Sequence, residues 1–185
     1  MKHKYYLIVD LEATCCKERT ITRDKMEIIE IGAVMVDAKT LKVVDEYERF
    51  IKPILNPTLT TFCKTLTTIT QEDIDSAMGY KEALEDFKNW FSRYDDFLFC
   101  SWGDYDKNQF LQDCKLHGVE YPFSNEHLNI KKEFAKVQGV KPCGLDEALA
   151  HVNLELVGTH HRGIDDARNM ACLMPYIMGK EQCSN

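Results

Sequence analysis

Tyr5-Tyr6-Leu7-Ile8-Val9 is a short unbroken apolar run, the pattern of a strand buried on both faces. Asp10-Leu11-Glu12 closes it with two carboxylates one residue apart. Residues 14–25 are then polar and charged without a period, which predicts a loop. Ile28–Val36 is a second apolar run, Asp37-Ala38-Lys39-Thr40 has turn composition, and Lys42–Ile51 alternates well enough for a third strand. Connections this short make a hairpin or meander, so this part of the sheet is expected to be antiparallel. Pro53 and Pro57 interrupt the pattern, and Leu59–Ser76 is mixed, with Thr70-Gln71-Glu72-Asp73 offering a helix cap and first-turn acids.

Further on, Ala83, Leu84, Phe87, Trp90 and Phe91 recur at helical spacing within Tyr80–Tyr94. Phe97–Ser101 reads as a fourth, buried strand. Helices are predicted over residues 106–117, 131–137 and 145–152, with a long final one over 164–178 and a frayed tail at 179–185. A meander followed by alternating strands and helices predicts one α/β domain over 1–178, built on a mixed sheet.

Composition narrows the function classes. The formal charge of −7 argues against a wide, non-specific grip on duplex nucleic acid, which needs many Lys and Arg contacts to phosphate. An enzyme that handles only the last few nucleotides of a strand stays compatible with it. No apolar run reaches the roughly 18 residues of a membrane span, and the first apolar stretch is too short for a secretory signal. The sequence therefore predicts an intracellular, cytoplasmic protein with no membrane partner. Its eight cysteines form no C-x-x-C pair and sit mostly in apolar segments, which suits buried thiols better than zinc ligands or disulfides.

Side chains at i and i+2 of a strand share a face, so Asp10 and Glu12 stand side by side where the strand leaves the core. Two like charges so placed are costly unless a cation neutralises them, and a hard divalent metal with oxygen ligands does so. The fourth strand ends in Ser101-Trp102-Gly103-Asp104-Tyr105-Asp106, the expected place for a third ligand, since α/β sites gather at strand ends. Asp106 lies in line with Phe110 and Cys114 and is preferred; Asp104, placed to cap the helix, is the alternative. In the last helix Asp166, Met170, Leu173 and Ile177 form one apolar stripe, whereas Asp165 shares a wetter stripe with Arg168, Asn169 and Tyr176. His160 and His161 precede that helix in a glycine-flanked loop. A histidine, with its unperturbed pKa of about 6.5, suits proton abstraction from water. Spacing does not choose between the two. Each feature alone has an ordinary structural explanation, and their company carries the signal.

Asp10-x-Glu12, an Asp after the mid-chain strand, and His161 followed five residues later by Asp166-Ala167 together resemble the DEDDh 3′–5′ exonucleases. The likeness is closer to the Eri-type branch of histone-mRNA and 5.8S-rRNA trimming exonucleases. Its signature is matched by Asp10-Leu11-Glu12-Ala13-Thr14-Cys15, with Ile28-Ile29-Glu30-Ile31-Gly32, Phe62-Cys63, Leu66-Thr67, Ile69-Thr70-Gln71 and Gly163-Ile164-Asp165-Asp166 also similar. The resemblance runs from about Tyr5 to Ile177. It implies an RNase H-like mixed sheet, an antiparallel meander plus parallel strands, flanked by helices.

By the same resemblance, Asp10, Glu12, Asp106 and Asp166 would hold two Mg²⁺ or Mn²⁺ ions, with His161 as general base. Ala13, Thr14, Phe62, Leu66 and Tyr105 would line the nucleotide site. The implied substrate is the 3′ end of RNA, single-stranded or overhanging, released as nucleoside 5′-monophosphates. A DNA-directed proofreading exonuclease and a catalytically silent RNA-binding module are the alternatives. Thr68 departs from the branch, which usually has Gly there, so an altered backbone is expected at that point. The chain also begins at the catalytic strand, so selective recognition of a structured RNA by an added domain is not expected.

Overall fold

A computed structural model describes residues 2–18, 20–124 and 126–182. Its centre is a six-stranded mixed sheet in the order β4-β3-β2-β1-β5-β6. Strands β1 (Tyr5–Ala13), β2 (Ile28–Asp37) and β3 (Val43–Lys52) form the antiparallel meander. Strand β5 (Phe97–Ser101) joins β1 in parallel, and β6 (His127–Asn129) joins β5 in parallel. The two-residue β4 (Met78–Gly79) and three-residue β6 are additions to the sequence reading, being too short to show an alternation.

The apolar run of β1 is continuous because both of its faces are covered. Tyr6 and Ile8 face a core shared with Val34, Ile130, Phe134, Ala148, Ala167 and Met170. Leu7, Val9 and Leu11 face a second core with Phe87, Phe99, Phe110 and Phe123, in which the Phe99 and Phe123 rings stack at 4.3 Å. The second core is roofed by α3 (Tyr80–Phe91) and α4 (Tyr105–His117). The first is roofed by α5 (Ile130–Gln138), α6 (Leu145–His151) and α7 (Gly163–Cys172). Of two shorter helices, α1 (Thr61–Thr67) meets the end of β1 through Cys63 and the Ala13 carbonyl, and α2 (Gln71–Asp75) lies beside β3, with Thr70 and Asp73 forming the reciprocal cap of α2.

Two boundaries differ from the periodicity. The stripe of α3 ends at Phe91 rather than Tyr94. The single final helix is divided: α7 stops at Cys172, and α8 spans Met174–Ile177. Pro175 has no N–H to continue the ladder, although Leu173 and Ile177 stay buried as the stripe required. Asn169, expected on a wet face, is also buried, its side-chain amide bonded to Val157 and to the Asp165 carbonyl.

Of the expected tail, Lys180 and Glu181 donate their N–H groups to the Pro175 carbonyl, and residues 183–185 lie outside the described residues. Seven described cysteines are free thiols, with Cys63, Cys100 and Cys114 buried. Among the described residues no helix is long and apolar enough to cross a membrane.

Candidate active site

Strand β1 outruns β5. The parallel pairing covers only Tyr5–Ile8, so the β1 edge beyond it is left without a strand partner. The Leu11 N–H on that open edge donates instead to Asp106 Oδ1 at 3.1 Å, because a buried backbone donor must be met. Asp106, on the first turn of α4, is thereby drawn to the flank of Asp10 and Glu12. Asp104 occupies the N-cap position without capping; its carboxylate turns outward to Lys132 Nζ at 2.9 Å. The preference for Asp106 over Asp104 thus has a structural reason.

Asp10 and Glu12 continue the Tyr6–Ile8 face and so point toward α7. The N-terminus of α7 reaches them because Gly32 of β2 and Gly163 present no side chains between the two backbones. Asp166, one turn along and 4% exposed, accepts the His161 N–H at 3.0 Å and faces His160 Nδ1 at 3.1 Å. The two imidazole rings lie 4.0 Å apart. His161 takes φ +64°, a left-handed conformation rare for a residue with a Cβ. Buried Glu30 holds this loop from below: its carboxylate accepts from Arg162 Nε at 3.2 Å and from the Gly163 N–H at 3.1 Å. Glu30 belongs to the Ile28–Gly32 motif without a role assigned to it there, and its signal is an acid in the middle of an otherwise apolar strand.

Burial, reinforced by Asp106 and Glu12, raises the Asp10 carboxyl well above the usual range. Burial with Glu30 and Asp166 pushes Glu12 up to about 9. Asp106 rises to about 6, also through burial, held back by the Leu11 N–H. The Asp10 and Glu12 carboxylates make no hydrogen bond or ion pair among the described residues, and their oxygens lie within 4.8 Å of one of Asp166. Two carboxylates, Asp10 and Glu12, set beside a third with no cationic partner of their own are a donor set that fits a hard divalent ion. His160, His161 and Asp166 form a second group that meets the same 4.8 Å spacing. His160 therefore stands in the site beside His161, which adjacency in sequence had left open.

These groups line a cleft of about 380 Å³. Ala13, Leu66 and Tyr105 are on its wall, as are Trp102 and the start of α6 at Leu145–Asp146, which no motif or spacing singles out. Thr14 and Phe62 are not on that wall. Thr14 is buried, its hydroxyl accepting the Glu27 N–H at 3.0 Å, and Phe62 is exposed on α1 one turn before Leu66. Thr68 ends α1 with φ +61°, the conformation glycine adopts readily, so the threonine keeps a glycine-like backbone there instead of changing it.

The family model described as exonuclease matches residues 7–174. The 3′–5′ exonuclease Snipper of Drosophila melanogaster is 31% identical over 192 residues, a match covering 93% of this chain and 68% of that protein. Human 3′–5′ exoribonuclease 1 is 30% identical over 179 residues, covering 91% of this chain and 51% of its own length. The chain therefore spans about two thirds of the first relative and about half of the second. Among solved structures, the nuclease domain of 3′hExo, a DEDDh family member bound to rAMP, superposes with a TM-score of 0.90 at 26% identity, covering 98% of this chain and 94% of that one. The fold is shared with the 3′hExo nuclease domain and the family model matches nearly the whole chain, and the chain belongs to the exonuclease family, in its DEDDh 3′–5′ branch of ERI1 type.

Proposed function

We propose that this domain removes nucleotides one at a time from the 3′ end of RNA, releasing nucleoside 5′-monophosphates. The observation that carries the reading is the convergence of Asp10, Glu12 and Asp166 within 4.8 Å, with Asp10 and Glu12 unpartnered among the described residues, open to a cleft that His161 also faces. Support for RNA comes from relatives named as exoribonucleases and from a structural neighbour bound to rAMP.

Asp10, Glu12, Asp106 and Asp166 would hold two Mg²⁺ or Mn²⁺ ions. Bound there, such ions supply charge neutralisation, an activated water and stabilisation of the leaving 3′ oxygen. Asp106 has one oxygen engaged by Leu11 N–H, which fixes the orientation of the carboxylate relative to Asp10. His161 takes the proton from the attacking water. Burial, followed by the neighbouring His160, lowers its pKa, so the ring is neutral and able to accept at neutral pH. Asp166 fixes the histidine loop through the His161 N–H.

Leu66 and Tyr105 give the cleft apolar walls for a base, with Ala13 leaving room at its edge. Phe62, exposed on the same helix as Leu66, is available to stack on a terminal base, a contact worth about 1–3 kcal/mol that reads no sequence. Thr14 contributes by tying the end of β1 to Glu27.

Matched 3′- and 5′-labelled RNA and DNA oligomers, incubated with Mg²⁺, Mn²⁺ or EDTA, test the proposal. RNA shortened from its 3′ end only with metal is the expected result. Internal cuts or 5′ shortening would refute the mechanism, and equal degradation of DNA would refute the RNA preference.

A further inference from the structure

Five arginines are among the described residues, and four are ion-paired: Arg49 with Asp86, Arg93 with Asp45, Arg162 with Glu30 and Glu48, and Arg168 with Glu46 and Asp165. Arg23, in the turn before β2, has no carboxylate within ion-pair distance among the described residues. It is nevertheless held in place. Its guanidinium lies 4.2 Å over the centroid of the Tyr105 ring, and one of its N–H groups donates to Gln109 Oε1. Gln109 is itself buried and fixed, its amide donating to the Met26 carbonyl at 2.9 Å and to Asp113 Oδ2 at 2.6 Å. An exposed guanidinium set flat on an aromatic face, with donors to spare and no carboxylate at ion-pair distance, although it acts at longer range on Asp106 and Asp113, is organised for an anion from outside.

Its position says which anion. Tyr105 lines the carboxylate cleft, and a second hollow of about 460 Å³, lined by Cys15, Cys16, Ile21, Thr22, Arg23 and Met26, shares Cys15 and Met26 with that cleft. The hollow at Arg23 thus adjoins the cleft across Cys15 and Met26. A strand that places its 3′-terminal nucleotide among the carboxylates carries further phosphates out along the cleft wall, which holds five carboxylates and no Lys or Arg. We infer that Arg23 binds a backbone phosphodiester of the substrate strand upstream of the scissile bond, with the Cys15–Met26 hollow receiving the upstream nucleotide. The inference rests on the exonuclease reading and adds a subsite to it.

The test is a steady-state comparison of wild type with Arg23→Ala and Arg23→Lys on single-stranded RNA oligomers. Arg23→Ala is expected to lose about ten-fold in kcat/KM at low salt, carried by KM, as for loss of a charge-assisted hydrogen bond. The slope of log(kcat/KM) against log[salt] should become shallower by about 0.7, one phosphate contact on a single strand. Arg23→Lys should keep the salt slope while losing part of the affinity.

Neutral methylphosphonate linkages walked upstream from the scissile bond should impair the wild type at one linkage, and Arg23→Ala should be insensitive there. A loss that falls on kcat, an unchanged salt slope, or no linkage coupled to Arg23 would overturn the inference. Fluorescence anisotropy of the same oligomers reads the contact without turnover. An inert wild type would refute the exonuclease reading, whereas an active wild type with an indifferent Arg23→Ala would refute the subsite alone.

Discussion

Gly32 and Gly163 meet backbone to backbone: a Cβ built on Gly32 would stand 1.9 Å from the Gly163 carbonyl carbon, and one on Gly163 would stand 3.0 Å from the Asp10 carbonyl oxygen. This approach is what brings the first turn of α7, with Asp166, onto the strand that carries Asp10 and Glu12. Gly32→Ala must therefore push α7 away from the sheet. The expected cost is about 1–3 kcal/mol, the range for overpacking a close-packed contact, with a fall in kcat larger than the fall in Tm would suggest. Thermal melts and single-turnover rates on an RNA oligomer check this, and Gly163→Ala should show a smaller loss of both.

The metal-free protein should lose stability as pH rises. Glu12, at about 9, and Glu30, at about 7, are both held above their ordinary 4.5, chiefly by burial. A group whose folded pKa is raised stabilises the fold fully below its unfolded value, and that contribution is lost as pH climbs through the folded value. Carboxylates held low by hydrogen bonds, such as Asp37 and Asp73, act in the opposite direction but only below their ordinary 3.8. In EDTA the Tm should fall between about pH 4.5 and 9, and saturating Mg²⁺ should flatten that fall. Asp10→Asn should raise the Tm in EDTA at pH 8 while lowering activity by about a hundred-fold or more, since even indirect damage to a metal site costs about 10–100-fold. A Tm that rises with pH in EDTA would contradict the electrostatic account.

The acid limb of the pH–rate profile should lie below pH 6.5, because burial, followed by His160, lowers the His161 pKa and only the neutral ring accepts a proton. His161→Asn should cost about 10²–10⁴-fold in kcat and remove that limb. His160→Asn should cost less, and should move the limb upward by relieving the repulsion on His161.

Glu30 and Arg162 form a pair that is closed to water on the acid side, with Glu30 fully buried and the Arg162 side chain 22% exposed. Glu30→Ala leaves the guanidinium with Glu48 alone and the Gly163 N–H unmet. It should destabilise by about 3–5 kcal/mol, the usual result of removing one partner from a buried pair, and should lower kcat by releasing the histidine loop. Glu30→Gln, which can still accept from Gly163, should lose less of both.

Thr68 holds a left-handed backbone that strains a β-branched residue by about 1–2 kcal/mol. Thr68→Gly should recover about 1 kcal/mol in chemical denaturation, net of the entropy that glycine adds to the unfolded chain. A destabilised variant would mean that the threonine side chain has a packing role that outweighs the strain.

What the sequence determined by itself is the part of the protein governed by local dihedral periods. Alternation and short turns set the β1–β2–β3 meander, and helical spacing set the buried stripe of α3 and the inward heading of Asp166. The strand period of two put Asp10 and Glu12 on one face, whatever the rest of the chain does. The tertiary structure decided what depends on groups far apart in the chain. Asp106 joins the site because β5 is shorter than β1 and leaves the Leu11 N–H to be satisfied. His160 reaches Asp166 because the loop turns through a left-handed residue, a conformation that no periodicity predicts. Glu30 meets Arg162 across 132 residues, and Arg23 lies on Tyr105, only once the sheet and helices have packed. Local pattern records backbone preference. Which buried donor finds which acceptor is settled by the geometry of elements that the pattern treats separately.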